Sequence, residues 1–498
     1  MGQPYIITID QGTTGSRVFL INKNGETIGS SYEEFKQHFP QAGWVEHDAN
    51  EIWNSVEKLI GKALAAAGAN PKDAIGIGIT NQRETTVVWD KASGKPIHRA
   101  IVWQCRRTSA MCDQLKKDKH EDTFRKKTGL VLDAYFSGTK IRWILNQNKD
   151  WQNQAQKGEL AFGTIDSWLL YNLSGKEVHA TDFTNASRTL LYNIHTREWD
   201  KELADILQVP MTMLPKVQNS SSEFGKTKGL KSLPDGIPIL SMIGDQQSAL
   251  FGQLCVEPGS AKNTYGTGCF LVLNLGDKPL QSKHGLVTTL AADREGKPVY
   301  ALEGSIFIGG AVVQFLRDQM KFLTDSAESE EIARDVGSSE GVVFVPAFAG
   351  LGAPWWDQDA RGAIFGLTRD TEPAQITRAA LKSIALQSYD VINAMQQDAG
   401  MKLEFLKVDG GATRNNFLMD FQAGLLGVPV IRPRNVETTV LGAAYLAGLA
   451  GGLWTNFDEL KDLNPPSATF HPTSMTDEKR DYELNLWRDA IARVRLKP

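Results

Sequence analysis

An aspartate, Asp10, stands two residues before the run Gly12-Thr13-Thr14-Gly15, and Arg17 lies two residues beyond it. A turn of glycine and small hydroxyl residues lets backbone N–H groups close on an anion; glycine supplies the unusual φ and threonine an extra donor. Such a turn suits a phosphate, and Arg17 could add positive charge. Asp10 is misplaced against a phosphate unless a cation lies between them, and Mg²⁺, held directly or through water, is the natural mediator. Far along the chain, KNTYGTGCFLVLN (262–274) repeats the pattern: Gly266-Thr267 falls on Gly12-Thr13, and Thr264 falls where Asp10 stands. One such turn alone reads as a plain hairpin. Two of them opening two similar halves point to phosphate binding. No GxxxxGK[ST] run occurs, so a P-loop is excluded.

Three further groups could handle the rest of a substrate. In VDGGATRNN (408–416), Gly410 and Gly411 would let a flat base lie against backbone, and Asn415 could hydrogen-bond it; a tight strand–helix turn is the equal alternative. Asp245 ends an apolar run and begins a helical one, where the helix dipole favours its ionised form. Gln246 and Gln247 beside it make a polar mouth, although an N-cap role would explain an Asp there too. Arg83 and Glu84 follow a buried strand and form a polyol clamp, Arg donating to a hydroxyl oxygen and Glu accepting from a hydroxyl. Their alternative is a surface ion pair of little energy. Trp103, Tyr135 and Phe270 could wall the carbon-bound hydrogens, though each aromatic alone reads as core.

These residues need elements to hold them. PYIITID and SRVFLIN are short, β-branched and apolar, hence strands; KNGE carries an Asn-Gly hairpin signal, so a third strand follows. DANEIWNSVEKLIGKALAAAG has helical periodicity with Asp48 or Asn50 as cap, and AIGIGIT is a buried strand ending at Thr80. KIRWILNQ (140–147) reads as helix, IPILSMIGD (237–245) as strand, and QQSALFG as the helix behind it. In the second half GGAVVQFLRDQM is helical, GVVFVPAF a strand, residues 373 to about 397 a long helix, FLKVDGG a strand, and a helix starts at Asn415. Residues 219–236, rich in Ser, Gly and Lys, read as an exposed loop. The whole is an α/β chain of two halves that begin alike, with a boundary near 255–260.

At 498 residues the chain exceeds one ordinary core. A formal net charge of −4 argues against a nucleic-acid surface over the whole chain. No basic and apolar leader opens the sequence, and TTVLGAAYLAGLAGGLW is too short and glycine-rich to span a bilayer, reading instead as a tightly packed helix. The four cysteines form no CxxC pair and the eight histidines no ligand spacing, so a reduced, cytoplasmic protein without a structural metal is expected.

Together the motifs resemble the FGGY carbohydrate kinase family over essentially the whole length. DQGTTGSR, TNQRETTVVWD, IVWQCRRT, GDQQSALFGQ, KNTYGTGCF and VDGGATRNNFLMDFQ follow in the family's order, and YFSGTKIRWILNQ fits its first signature. GAIFGLTRDTEPAQITRAALK fits most of the second, with Lys382 where an acidic or amide residue is usual. The resemblance implies the actin-like ATPase fold, an α/β architecture of two ribonuclease H-like domains with an interdomain cleft. Residues 1–254 would carry the polyol site and the first phosphate turn, 261–450 the nucleotide site, and 451–498 a C-terminal helical tail. It implies ATP with Mg²⁺ at Asp10, and phosphate contacts from Thr13, Thr14, Gly15, Arg17, Thr267, Gly310 and Gln314. Position 15 is often Ser in the family; Gly keeps the backbone donor. Gly411 and Asn415 would meet the adenosine end. TNQRET and GDQQ point to glycerol, held by Arg83, Glu84, Tyr135, Asp245 and Gln246 between the aromatic walls, with Asp245 accepting the proton as sn-glycerol 3-phosphate and ADP form. A homodimer or homotetramer is expected. The segment TKGLKSLPDGIP differs from the family's fructose 1,6-bisphosphate loop, and no histidine lies between Gln218 and Asp245 for phospho-activation. Two rivals remain in view: a kinase for another polyol or a pentulose, and a nucleotide-switched assembly protein of the same fold. The Arg83-Glu84 and Asp245-Gln246 pairs favour the enzyme, because a switch needs no polyol clamp.

Overall fold

β1 (Tyr5–Gln11) and β2 (Gly15–Asn22) form an antiparallel hairpin in which Asp10 faces Arg17 across the register. The apolar runs dictate both strands, and β1 is buried along its whole length. They belong to a computed structural model that describes residues 2–495. β3 (Thr27–Glu34) follows the Asn24-Gly25 turn, with Gly25 at φ 75° as that turn requires. α1 (Ala49–Ala67) is capped by Asp48, whose side chain accepts from the Asn50 and Glu51 amides at 2.8 and 3.3 Å. β4 (Ala74–Asn81) then runs parallel to β1, setting Asp10 beside Thr80.

α2 (Ser137–Leu145) precedes β5 (Ser221–Lys226) and β6 (Pro238–Gly244), which complete a six-stranded sheet in the order β5-β6-β4-β1-β2-β3. β5 corrects the reading of 219–236 as an exposed loop. It pairs antiparallel with β6, and Ser220, Phe224, Thr227 and Leu233 are buried. SSEFGK has weak strand propensity, and pairing with a sheet edge around a buried Phe overrides it.

α3 (Asp245–Gly252) leads to the second sheet. β7 (Ala261–Tyr265) and β8 (Cys269–Gly276) make a hairpin; β9 (Val287–Ala292), β10 (Pro298–Ile306), β11 (Leu406–Asp409), β12 (Val430–Pro433) and β13 (Pro466–Phe470) join it in the order β9-β10-β8-β7-β11-β12-β13. The opening hairpins repeat one connectivity: β1 is antiparallel to β2 and parallel to β4, while β7 is antiparallel to β8 and parallel to β11. The apolar run at 341–348 contributes only Val343–Val345, paired with Ala363–Phe365 outside both main sheets.

α4 (Ala311–Asp318), α5 (Pro373–Ala399) and α6 (Asn416–Leu426) flank the second sheet. Lys382, on α5, is buried; its ammonium lies 2.5 Å from Glu483 on α8 (Asp477–Val494) and donates to Ser339 Oγ at 2.8 Å, so this lysine fastens the last helix. α7 (Thr438–Ala450) crosses back and packs on α3 and the first sheet. The approach is backbone to backbone. A Cβ on Gly442 would sit 1.9 Å from the Ser248 carbonyl oxygen, and one on Gly252 2.0 Å from that of Thr438. Among the described residues no helix is long and apolar enough to cross a membrane. All four cysteines are free and buried.

Candidate active site

β4 ends at Asn81, and the chain turns through Gln82, Arg83 and Glu84, all buried. Glu84 takes φ 58°, a left-handed backbone uncommon for a residue with a side chain. Burial removes the surface-ion-pair alternative. Arg83 Nη1 donates to Gln247 Oε1 at 3.1 Å and to Glu303 Oε2; Nη2 donates to Glu303 Oε1 at 3.0 Å. Its contact with the Tyr135 hydroxyl is long, 3.4 Å, which leaves donor capacity towards the cleft. Nε lies 3.1 Å from Asp245 Oδ1 but out of line for a hydrogen bond. Glu84 Oε1 accepts from Arg188 Nε at 2.7 Å, and Arg188 Nη2 donates to Glu303 Oε1 at 2.8 Å.

Glu303, on β10, is 0% exposed. Burial alone would raise its pKa; Arg188 and Arg83 more than offset this and hold it at about 2. Glu303, Arg188 and Lys262 are not singled out by the sequence reading, whereas Gln247 is. A signal existed for two of them: Glu303 and Lys262 interrupt buried strands, where a charge must find a partner. Arg188, in a loop, carried none.

Asp245 is the first residue of α3, and Gly244 holds the N-cap position, so the capping alternative is set aside. Asp245 Oδ1 accepts from the Gln246 amide at 2.7 Å, and 30% of the side chain faces solvent in the cleft. Desolvation pushes its carboxyl above the usual range, opposed by Arg83 and Lys262. Lys262 donates to Gln246 Oε1 at 2.6 Å and Thr264 Oγ1 at 2.7 Å, which fixes the Gln246 amide. Burial brings the Lys262 ammonium down to about 8. The three aromatics meet: Trp103 lies edge-on to Tyr135 and Phe270, with ring centroids 5.6 and 6.1 Å apart. Trp103 Nε1 donates to Thr13 Oγ1 at 2.9 Å and so ties this wall to the first phosphate turn.

Both turns are closed hairpins: Gly12 N–H donates to Gly15 O at 3.0 Å, and Gly266 N–H to Gly268 O at 2.9 Å. Gly310 N–H donates to Gly266 O at 2.9 Å, clamping the second turn to the start of α4. Arg17 and Asp10 contact each other, Nη2 to Oδ2 at 2.5 Å, and Arg17 Nη1 reaches Glu437 at 2.5 Å. Burial raises the Asp10 pKa and Arg17 opposes the rise.

Among the described residues no three His, Cys, Asp or Glu side chains gather as a metal cage. Mg²⁺ does not require one; it is held by one or two carboxylates, waters and substrate phosphates. Asp10, whose Oδ2 meets Arg17 and whose Oδ1 has no such contact, fits that donor set, with Asp245 nearby. The two close neighbouring strand ends, Asp10 beside Thr80 and Gly244 beside Asn81 on either side of β4.

A cavity of about 490 Å³ in the second half is lined by Thr267, Gly310, Gln314, Gly411 and Asn415, all five of the nucleotide residues expected there. Val313, Leu381, Ile384 and Leu418 make it apolar at depth. The Asn415 amide oxygen is already taken, accepting from Leu418 N–H at 2.9 Å as the α6 cap. Thr13, Thr14, Gly15 and Arg17 stand on the other sheet, outside this lining. A second cavity, about 580 Å³, lies between the halves and is walled by Trp103, Tyr135 and Thr267. Thr267 borders both cavities, so the two spaces meet at the second phosphate turn.

Residues 5–252 match the FGGY family of carbohydrate kinases, N-terminal domain, and residues 261–451 its C-terminal domain. The chain is 61% identical over 491 residues to a glycerol kinase of Leptospira biflexa, covering 99% of this chain and 98% of the relative. It is 55% identical over 491 residues to a glycerol kinase of Pseudomonas entomophila, covering 99% and 97%. The crystal structure of Plasmodium falciparum glycerol kinase with ADP superposes with a TM-score of 0.91 at 36% identity, over 100% of this chain and 99% of that one. A gluconate kinase from Lactobacillus acidophilus shares the fold, with a TM-score of 0.87 at 22% identity over 99% and 98%.

Proposed function

The chain belongs to the FGGY family of carbohydrate kinases, and from that membership and the form of its cleft we propose that it transfers the terminal phosphoryl group of ATP to a terminal hydroxyl of glycerol. The observation that carries this reading is the meeting of the two cavities at Thr267. A nucleotide whose base lies against Gly411 directs its phosphates at the turn, beyond which Trp103 and Tyr135 wall the second cavity; Arg83, Glu84 and Asp245 lie outside that lining, with Arg83 Nη2 3.4 Å from the Tyr135 hydroxyl.

Phosphoryl transfer demands positioning and neutralisation of charge more than covalent help from the protein. Arg83 donates to one glycerol hydroxyl and Glu84 accepts from another, leaving the third beside Asp245 and Gln246. Trp103 and Phe270 cover the carbon-bound hydrogens, with the Tyr135 ring behind them. Asp245 takes the proton from the attacking hydroxyl; burial pushes its carboxyl above the usual range, against Arg83 and Lys262, which makes it a stronger proton acceptor than a free carboxylate. The product is sn-glycerol 3-phosphate. Asp10 would hold Mg²⁺, which supplies charge neutralisation on the ATP phosphates. The backbone of both turns and Arg17 meet those phosphates, and water is kept out by closure of the halves.

ATP-dependent formation of glycerol 3-phosphate by the purified chain tests the reading directly, with pentuloses and other polyols as competing acceptors. Glycerol is expected to stimulate ADP release strongly; release indifferent to glycerol rejects it. The nucleotide end has its own test. Apart from its own neighbouring backbone, no protein atom lies within 4 Å of where a Cβ on Gly411 would stand, and Gly411 lines the nucleotide cavity, so a side chain there enters cavity space rather than core. Gly411→Val is expected to leave thermal unfolding unchanged and to raise the ATP KM about tenfold or more, a loss of about 1.4 kcal/mol or more. An unaltered ATP KM would move the base elsewhere.

A further inference from the structure

Arg83 and Glu84, the two arms of the acceptor clamp, sit on one loop of the first half. Arg83 is bonded across to the second half, and Glu84 is tied to it through its first-half partner Arg188. The Glu303 carboxylate, on β10 of the second sheet, is gripped by both nitrogens of the Arg83 fork and by Arg188 Nη2. Arg188 in turn donates from Nε to Glu84 at 2.7 Å. Both arms therefore end on one carboxylate, Arg83 directly and Glu84 through Arg188. The four side chains are 0–2% exposed and balance two guanidiniums against two carboxylates. Arg188 has little else to hold it: its guanidinium lies over Phe136 and Tyr135, 5.2 and 5.6 Å from the ring centroids, and its Nη1 has no hydrogen-bond partner.

We propose that Glu303 is the positioning residue for the acceptor clamp, orienting Arg83 towards the substrate hydroxyl and, through Arg188, Glu84 towards its neighbour. This deepens the glycerol kinase reading and rests on it. The alternative orientation of Arg83 is close at hand, because Asp245 Oδ1 is 3.1 Å from Nε. With Glu303 neutral, Arg83 swings towards Asp245, and Arg188 is left with Glu84 alone. The clamp loses its aim while the nucleotide cavity, lined by none of these residues, is untouched. Because the anchor belongs to the second sheet and the arms to the first half, the clamp is complete only when both are together.

The test is Glu303→Gln in the full chain, assayed beside the unaltered enzyme. Expected is a glycerol KM raised at least tenfold, an ATP KM within twofold of the original, and a kcat lowered less than the KM is raised. Glycerol KM unchanged in a folded variant overturns the proposal, as does an equal rise in both KM values. Removing a buried charge can prevent folding. Glu303→Asp then decides, since it keeps the charge and withdraws it by one methylene. A glycerol-selective KM rise of fivefold or more is expected; no selective rise, or failure of both variants to fold, makes Glu303 a residue of the fold and overturns the proposal. Absence of glycerol-dependent turnover in the unaltered enzyme would instead reject the substrate reading itself.

Discussion

Asp245→Asn is expected to fold, to bind glycerol and to lose about 10²–10⁴-fold in kcat, the range a positioned base contributes. The substitution is close to isosteric, and an asparagine oxygen can still accept from the Gln246 amide as Oδ1 does at 2.7 Å. Folding has little stake in the charge, because Gly244 rather than Asp245 occupies the helix N-cap. Arg83 keeps its bonds to Glu303, so the clamp stays aimed. What disappears is the group that takes the hydroxyl proton. Steady-state kinetics with a Tm measurement reads each term separately. A kcat within tenfold of the original, at unchanged Tm, would remove Asp245 from the chemistry.

Arg83→Ala should show its largest effect on glycerol. A hydrogen bond from a charged donor is worth about 1.5–3 kcal/mol, so the glycerol KM is expected to rise roughly 10- to 150-fold, with the ATP KM nearly constant. The structure adds a second consequence that the sequence did not suggest. Removing Arg83 leaves Glu303, 0% exposed, with Arg188 as its one remaining guanidinium. Breaking a buried pair in this way costs about 3–5 kcal/mol of stability, so Tm should fall as well. A variant with reduced Tm but the original glycerol KM would make Arg83 structural only.

The parts of this site that were legible in the sequence are those built from local order. The glycine-threonine turns, the strand ends that carry Asp10 and Asp245, and the Gly410-Gly411 turn each lie within a few residues, where spacing and propensity act. The charged lattice beneath them was not legible. Arg83 and Glu303 are 220 positions apart, and Arg188 and Glu303 are 115 apart. Nothing in either neighbourhood names the other; only the sheets bring them together. Asp10 and Arg17 are the intermediate case. They are seven residues apart, and the hairpin register that pairs them could have been read from the turn. The segment 219–236 misled because its composition is polar, whereas its backbone pairs with a sheet edge that lies beyond the segment.

The glycine-to-backbone contact between α7 and α3 has a temporal consequence. The first sheet is made of residues from the opening half of the chain, but the helix that covers one of its faces spans 438–450. On a ribosome that face emerges hundreds of residues before its cover is synthesised. The early half must therefore wait, with apolar surface uncovered, for almost the entire polypeptide. A product released at residue 254 would carry that bare face permanently and be prone to self-association.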